Sequence, residues 1–108
     1  MTAKLGEFEM IVALAVMHLG DNAYGNSIRE DIERRSLRKV SRGAVYATLD
    51  RLEEKGLISS RFGDPTPARG GRAKRLFRVE ERGLEALGAS KAVLERMWHG
   101  LEHRLEGR

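Results

Sequence analysis

Ser41-Arg42-Gly43-Ala44-Val45-Tyr46-Ala47-Thr48-Leu49-Asp50-Arg51-Leu52-Glu53-Glu54-Lys55-Gly56-Leu57-Ile58 carries a start signal, a helical period and a stop signal in one unbroken stretch. Ser41 reads as an N-cap, since its hydroxyl can accept an amide hydrogen bond from the following turn. Val45, Leu49 and Leu52 recur at helical spacing and give residues 42–55 an inward stripe. Gly56 stands where a helix ends in the left-handed region. After it, Leu57–Phe62 and Arg75–Val79 show β-branched and aromatic residues in partial alternation, so both read as short strands. The segment from Gly63 to Lys74 holds both prolines and makes an extended hairpin loop.

Toward the N-terminus, residues 25–35 suit another helix, with Ile28 and Ile32 on one face. Glu30/Arg34 and Asp31/Arg35 read as solvated i,i+4 pairs on the others. Residues 5–19 read as a first helix, closed by Gly20-Asp21-Asn22. Its run Met10–Met17 is apolar on every side, so more than one face needs cover. That run of eight residues is far short of the ~20 that cross a bilayer. Glu7 and Glu9 also sit where a secretory leader carries positive charge, so a cytoplasmic chain without a membrane span is expected.

From Glu81 to Leu105 a last helix is expected, with Leu84, Leu87, Lys91, Leu94, Trp98, Leu101 and Leu105 spaced as a heptad seam. So long a seam on so small a domain reads as a dimerisation helix. The expected fold is mainly α with a two-stranded β-hairpin. It is a winged helix-turn-helix over residues 1–80, with a C-terminal dimerisation helix over 81–108 in the same structural unit. Phe8, Ile11 and Val12 of the first helix join Leu87, Leu94, Trp98, Leu101 and Leu105 as the expected dimer interface.

The chain of 108 residues has a net charge of +4, too small to mean much as an average. Its distribution says more. Residues 61–78 hold six basic side chains against Asp64 alone, while the remaining 90 residues hold 14 basic and 15 acidic ones. Concentrated cations on a hairpin beside a helix-turn-helix suit phosphate attraction by counterion release. Arg69, Arg72, Lys74 and Arg75 are the expected wing contacts to double-stranded DNA. On helix 42–55, Gly43, Tyr46, Ala47 and Asp50 face outward. Gly43 and Ala47 allow close approach to a major groove, and an alanine methyl can touch a thymine methyl. Ser41, Arg42 and the free first-turn amides form a positive helix end suited to a phosphate. Tyr46 either donates to a phosphate or covers the rim of the core. Arg51 suits a backbone contact or a surface ion pair better than base reading.

These residues resemble the PadR family of bacterial transcriptional regulators. The likeness runs through Leu5–Glu9, Asp21–Gly25, Ser41–Glu53, Lys55–Ile58 and Gly70–Arg75, about residues 5–83 in all. It implies a homodimeric winged-helix repressor on a palindromic operator, with the first and last helices building the dimer. Some members bind flat aromatic ligands at the dimer interface, where a Trp of the last helix contributes. Trp98 is the counterpart for a small aromatic effector, its other reading being dimer packing. Two positions depart from the pattern. Phe77 stands near a usual Tyr, and Glu80 stands where a Thr usually caps the last helix.

Other chemistries find little footing. With no cysteine there is no thiolate nucleophile and no zinc ribbon. His99-Gly100-Leu101-Glu102-His103 spells an inverted zinc-protease pattern, yet no cleft-forming domain accompanies it and only Glu106 follows as a further ligand. No metal, cofactor or enzymatic activity is expected. The rival to DNA binding is a winged-helix protein-interaction module, which a strongly basic wing disfavours.

Overall fold

The computed structural model describes residues 4–63 and 73–106. The helices are α1 (Glu7–Leu19), α2 (Gly25–Ser36), α3 (Arg42–Glu54) and α4 (Glu81–Trp98), and the strands are β1 (Ile58–Phe62) and β2 (Arg75–Val79). The strands pair antiparallel, with Ile58 opposite Val79 and Phe62 opposite Arg75. The fold is the expected winged helix-turn-helix, with α2 and α3 as the helix-turn-helix and the hairpin as the wing.

Periodicity in the sequence becomes one core. Val12 and Val16 of α1, Ile28 and Ile32 of α2, and Val45, Leu49 and Leu52 of α3 meet Leu57, just before β1, and Ile58 and Phe77 of the hairpin, all buried. Helix starts are fixed locally. The Glu9 carboxylate accepts the Gly6 N–H at 2.9 Å, and Ser27 Oγ accepts the Tyr24 N–H at 3.0 Å while donating to the Asn22 carbonyl at 2.6 Å. Ser41 Oγ caps α3 by accepting the Ala44 N–H at 3.0 Å. Between α2 and α3, Glu33 accepts the Val40 N–H at 3.0 Å, and Arg38 pairs with Glu7 at 3.0 Å.

Three expectations change. The last helix does not run to Leu105. It ends at Trp98, where His99 leaves helical geometry and Gly100 takes φ +83. Glycine meets no Cβ penalty in that region, and its helix cost of ~1 kcal/mol favours the break. Leu101 and Leu105 therefore lie off α4, in a turn and the 3-10 segment Glu102–Leu105. The seam stops with them, and His99 and His103 do not share a helical turn.

Val12 is 0% exposed inside its own domain, so it is core and offers nothing to a second subunit. The charge pattern of α2 also differs from a solvated face. Asp31 is buried and accepts from both Arg34 and Arg35, while Glu30 accepts from Asn26 instead. Asp31 lies beside Leu14, Ala15 and His18 of α1, and the two guanidiniums supply the partners that its burial requires. The hairpin is two-stranded, as expected, and one isolated bridge lies along its β2 edge. The Phe77 N–H donates to the Ala23 carbonyl at 2.8 Å, and Tyr24 forms an isolated bridge with Leu76. Two residues carry no alternation, so this bridge had no signature in the chain.

Glu80 does begin α4, as expected, but its side chain does not cap it. The carboxylate accepts from the Ser59 hydroxyl and from Arg78 Nε at 3.0 Å. It thereby ties the base of the hairpin to the start of α4, and these two donors hold its carboxyl below the usual carboxylate range.

Candidate nucleic-acid interface

The outward face of α3 is open. Ser41, Arg42, Gly43 and Ala47 are all exposed, and a Cβ added at Gly43 would meet nothing within 4 Å. The first turn of α3 opens at the same end, with Arg42 as its first residue and the Ala44 amide taken up by Ser41. Among the described residues, Arg42, Arg61 and Lys74 have no carboxylate partner within salt-bridge distance. Their charge is thus available to phosphates.

Tyr46 is 36% exposed, and its phenol lies against the start of α2. A Cβ at Gly25 would sit 2.0 Å from its Oη. The tyrosine covers the rim between the two helices, and only glycine at 25 leaves it that room. Lys74 reaches back over the Tyr24 ring, its Nζ 4.0 Å from the centroid. This cation–π contact holds the ammonium at the loop end of the paired strands.

Two expected contacts are engaged within the protein. Arg51 lies 3.8 Å from Glu9 and donates to Thr48 at 3.2 Å, which makes it an ion-pair partner. Arg75 pairs with Glu53 at 2.5 Å and approaches Asp50 at 3.6 Å. Nothing local in the chain marks Glu53 or Asp50 as its partners, because the hairpin must fold back on α3 before they meet. Arg69 and Arg72 lie outside the described residues.

Glu9 anchors α1 beneath this surface. Burial pushes its carboxyl up, but the Lys55 ammonium at 2.8 Å, the Gly6 N–H and the Arg51 charge outweigh burial and hold it below its usual value. A depressed carboxyl stabilises the fold above its unfolded pKa and loses that contribution as pH falls through its folded value. Glu9→Gln is therefore expected to cost about 1–2 kcal/mol at pH 7. The gap to the parent should close in acid below the carboxylate range. Urea unfolding of both proteins across that range checks it; a gap that persists at low pH would mean the charge contributes nothing.

The expected dimer residues divide. Phe8 and Ile11 are half-buried and pack on the core, and Leu87 is 9% exposed. Leu94, Trp98, Leu101 and Leu105 are open to solvent in the single chain, as are Leu14, Met17 and Leu84. Met10, Ile11, Leu14 and Met17 of α1 face Leu84, Leu87 and Leu94 of α4 across a groove of about 430 Å³. Trp98, at the end of α4, is not among the residues lining it. No helix of the described residues is long and apolar enough to cross a membrane.

An exposed, capped second helix of a helix-turn-helix, flanked by a basic hairpin, defines a winged-helix DNA-binding fold. The family model described as the transcriptional regulator PadR-like family matches residues 14–89, and the chain belongs to that family. It is a transcriptional regulator and not an enzyme. Among solved structures, the chain is similar to a PadR-like transcription factor from Bacteroides fragilis. That match has a TM-score of 0.73 at 22% identity and covers 89% of this chain and 87% of the other. A PadR family regulator from Clostridium difficile matches with a TM-score of 0.71 at 24% identity, covering 91% and 98%. A PadR-like regulator from Bacillus cereus matches at 0.73 and 19% identity, covering 94% and 93%. Identities this low speak to the fold alone. A comparison with curated protein sequences returned no match.

Proposed function

We propose that the chain acts in the cytoplasm as a homodimeric repressor of a palindromic operator. Each α3 enters a major groove through Ser41, Arg42, Gly43 and Ala47. Each wing meets the flanking phosphates through Lys74 together with Arg69 and Arg72. The observation that carries this reading is the pairing of an open, small-residue helix face with unneutralised cations on the elements beside it. The apolar groove between α1 and α4 supports the dimer, since a second copy would cover Leu14, Met17, Leu84 and Leu94. Two half-sites should then lie about one helical turn apart, ~34–36 Å.

Selection of bound duplexes from a random pool tests activity, symmetry and spacing together. Inverted repeats at that spacing are expected. With the selected duplex, Arg72→Ala with Lys74→Ala should weaken binding to every sequence and flatten the salt dependence, by ~0.9 in log–log slope for each lost phosphate contact. An unchanged slope removes the wing from the model. A flat response to any duplex at low salt, or a compact monomer by ultracentrifugation at micromolar concentration, overturns the corresponding half of the proposal.

A further inference from the structure

We infer that Arg75 is a positioning residue that locks the wing onto the recognition helix, and that it does not contact the DNA backbone. The inference rests on the DNA-binding reading above for its consequence, and on contacts within one chain for its geometry. Arg75 sits on β2 opposite Phe62. Its guanidinium donates to Glu53 at 2.5 Å and, through Nε, to Ser60 Oγ at 3.2 Å. Ser60 in turn donates to the other Glu53 oxygen at 2.7 Å. Both oxygens of Glu53 are therefore occupied, and the ring of contacts joins α3, β1 and β2. Asp50, one turn back on α3, adds its charge at 3.6 Å, and the Phe77 ring lies 4.9 Å beneath the guanidinium.

The geometry separates Arg75 from its basic neighbours. A planar fork answered along two edges is worth more than a lone surface pair, and its orientation is fixed. A cation already neutralised by a carboxylate displaces little of the counterion atmosphere when a phosphate approaches. Arg42, Arg61 and Lys74 carry no such partner among the described residues, so they retain that capacity. What Arg75 supplies is the angle between wing and α3. That angle decides whether backbone and groove contacts are made at the same time. The carboxylates of Asp50 and Glu53, which would otherwise face DNA with bare negative charge, are masked by the same contact.

The two roles predict opposite signs for one substitution. Glu53→Gln removes an acid near DNA, so a phosphate-contacting Arg75 would be freed and binding would tighten. A positioning Arg75 loses its anchor, and binding weakens. The test compares Glu53→Gln, Arg75→Gln, the double variant and Arg75→Lys with the parent on the selected duplex over a range of salt. Each single variant is expected to bind about tenfold more weakly, and the double variant no more weakly than either single one, since both remove one contact. Arg75→Lys should regain only part of the loss, because an ammonium can pair with Glu53 but cannot also hold Ser60 along a second edge. The salt slope should stay at the parent value. Tighter binding by Glu53→Gln, or a slope lowered by ~0.9 in Arg75→Gln, marks a phosphate contact and overturns the inference.

Hydrogen exchange on the free protein gives a readout that needs no DNA. Amides of Ile58–Phe62 and Arg75–Val79 should exchange faster in both single variants, with α1 amides unchanged. Unchanged hairpin exchange overturns the lock whatever the binding data say. Faster hairpin exchange in a chain that binds no duplex keeps the lock and sinks the DNA reading instead.

Discussion

Replacing Gly83 with alanine is expected to destabilise the domain by about 2–3 kcal/mol or more, a large share of the stability of a domain this small. Gly83 lies in the first turn of α4, buried against the junction of α3 and β1. A Cβ there would sit 2.2 Å from the Leu57 carbonyl oxygen and 2.7 Å from Val79 Cγ1. The Leu57 carbonyl has little room to yield, because it accepts the Glu80 N–H at 2.9 Å. The helix must move outward, taking Ala86 and Leu87 from the core. Alanine's better helix propensity returns only ~1 kcal/mol. Denaturant unfolding of Gly83→Ala checks the prediction. Parent-like stability would show that α4 does not pack so closely on that carbonyl. Since Leu84 and Leu87 line the groove shared with α1, the same variant should also weaken self-association.

The second large effect falls on recognition and leaves stability alone. Ala47→Leu is expected to weaken binding to the selected operator by about 10–100-fold, from ~1–3 kcal/mol of lost groove contact. Binding to random duplex should change far less, since phosphate attraction does not depend on this position. Ala47 is exposed on α3 with Val45, Thr48 and Leu49 turned inward, so the added side chain meets no core. Equal losses on operator and random duplex would argue against α3 as the reading element. An unfolding midpoint shifted by the substitution would argue against its outward placement.

The parts legible in the chain were those governed by near neighbours. Ser41 caps α3 because its partner is three residues away. The stripe Val45, Leu49, Leu52 follows from the helical repeat, and the alternation of Arg75–Val79 gave β2 its bounds. Gly56, at φ +75, closes the turn after α3 as its identity suggested. The end of α4 was harder to read because two local signals compete. The apolar seam continues to Leu105, but a seam needs a facing surface to hold it, and Gly100 needs none to turn.

The functional surface was legible in its charge and not in its wiring. A count of basic residues marked the wing, yet it gave Lys74 and Arg75 the same standing. They differ because folding brings Glu53 and Asp50 to one and the Tyr24 ring to the other. In the same way Asp31 looked solvated until α1 covered its flank, and Tyr46 kept two readings until Gly25 lay beneath its phenol. Glu80 stood only as a departure at a capping position until Ser59 arrived from the hairpin.

By itself, then, the sequence determined the spans of the first three helices and the two strands to within a residue or two, the winged helix-turn-helix that they build, and the side of the molecule on which positive charge collects. Short-range hydrogen bonding and the period of apolar residues suffice for these. Only the tertiary structure decided which cations are neutralised, that Val12 is core, where α4 stops, and how the wing is held to α3. Those outcomes depend on groups distant along the chain coming within a few ångströms, where burial and ion pairing set the energy and no local pattern records it.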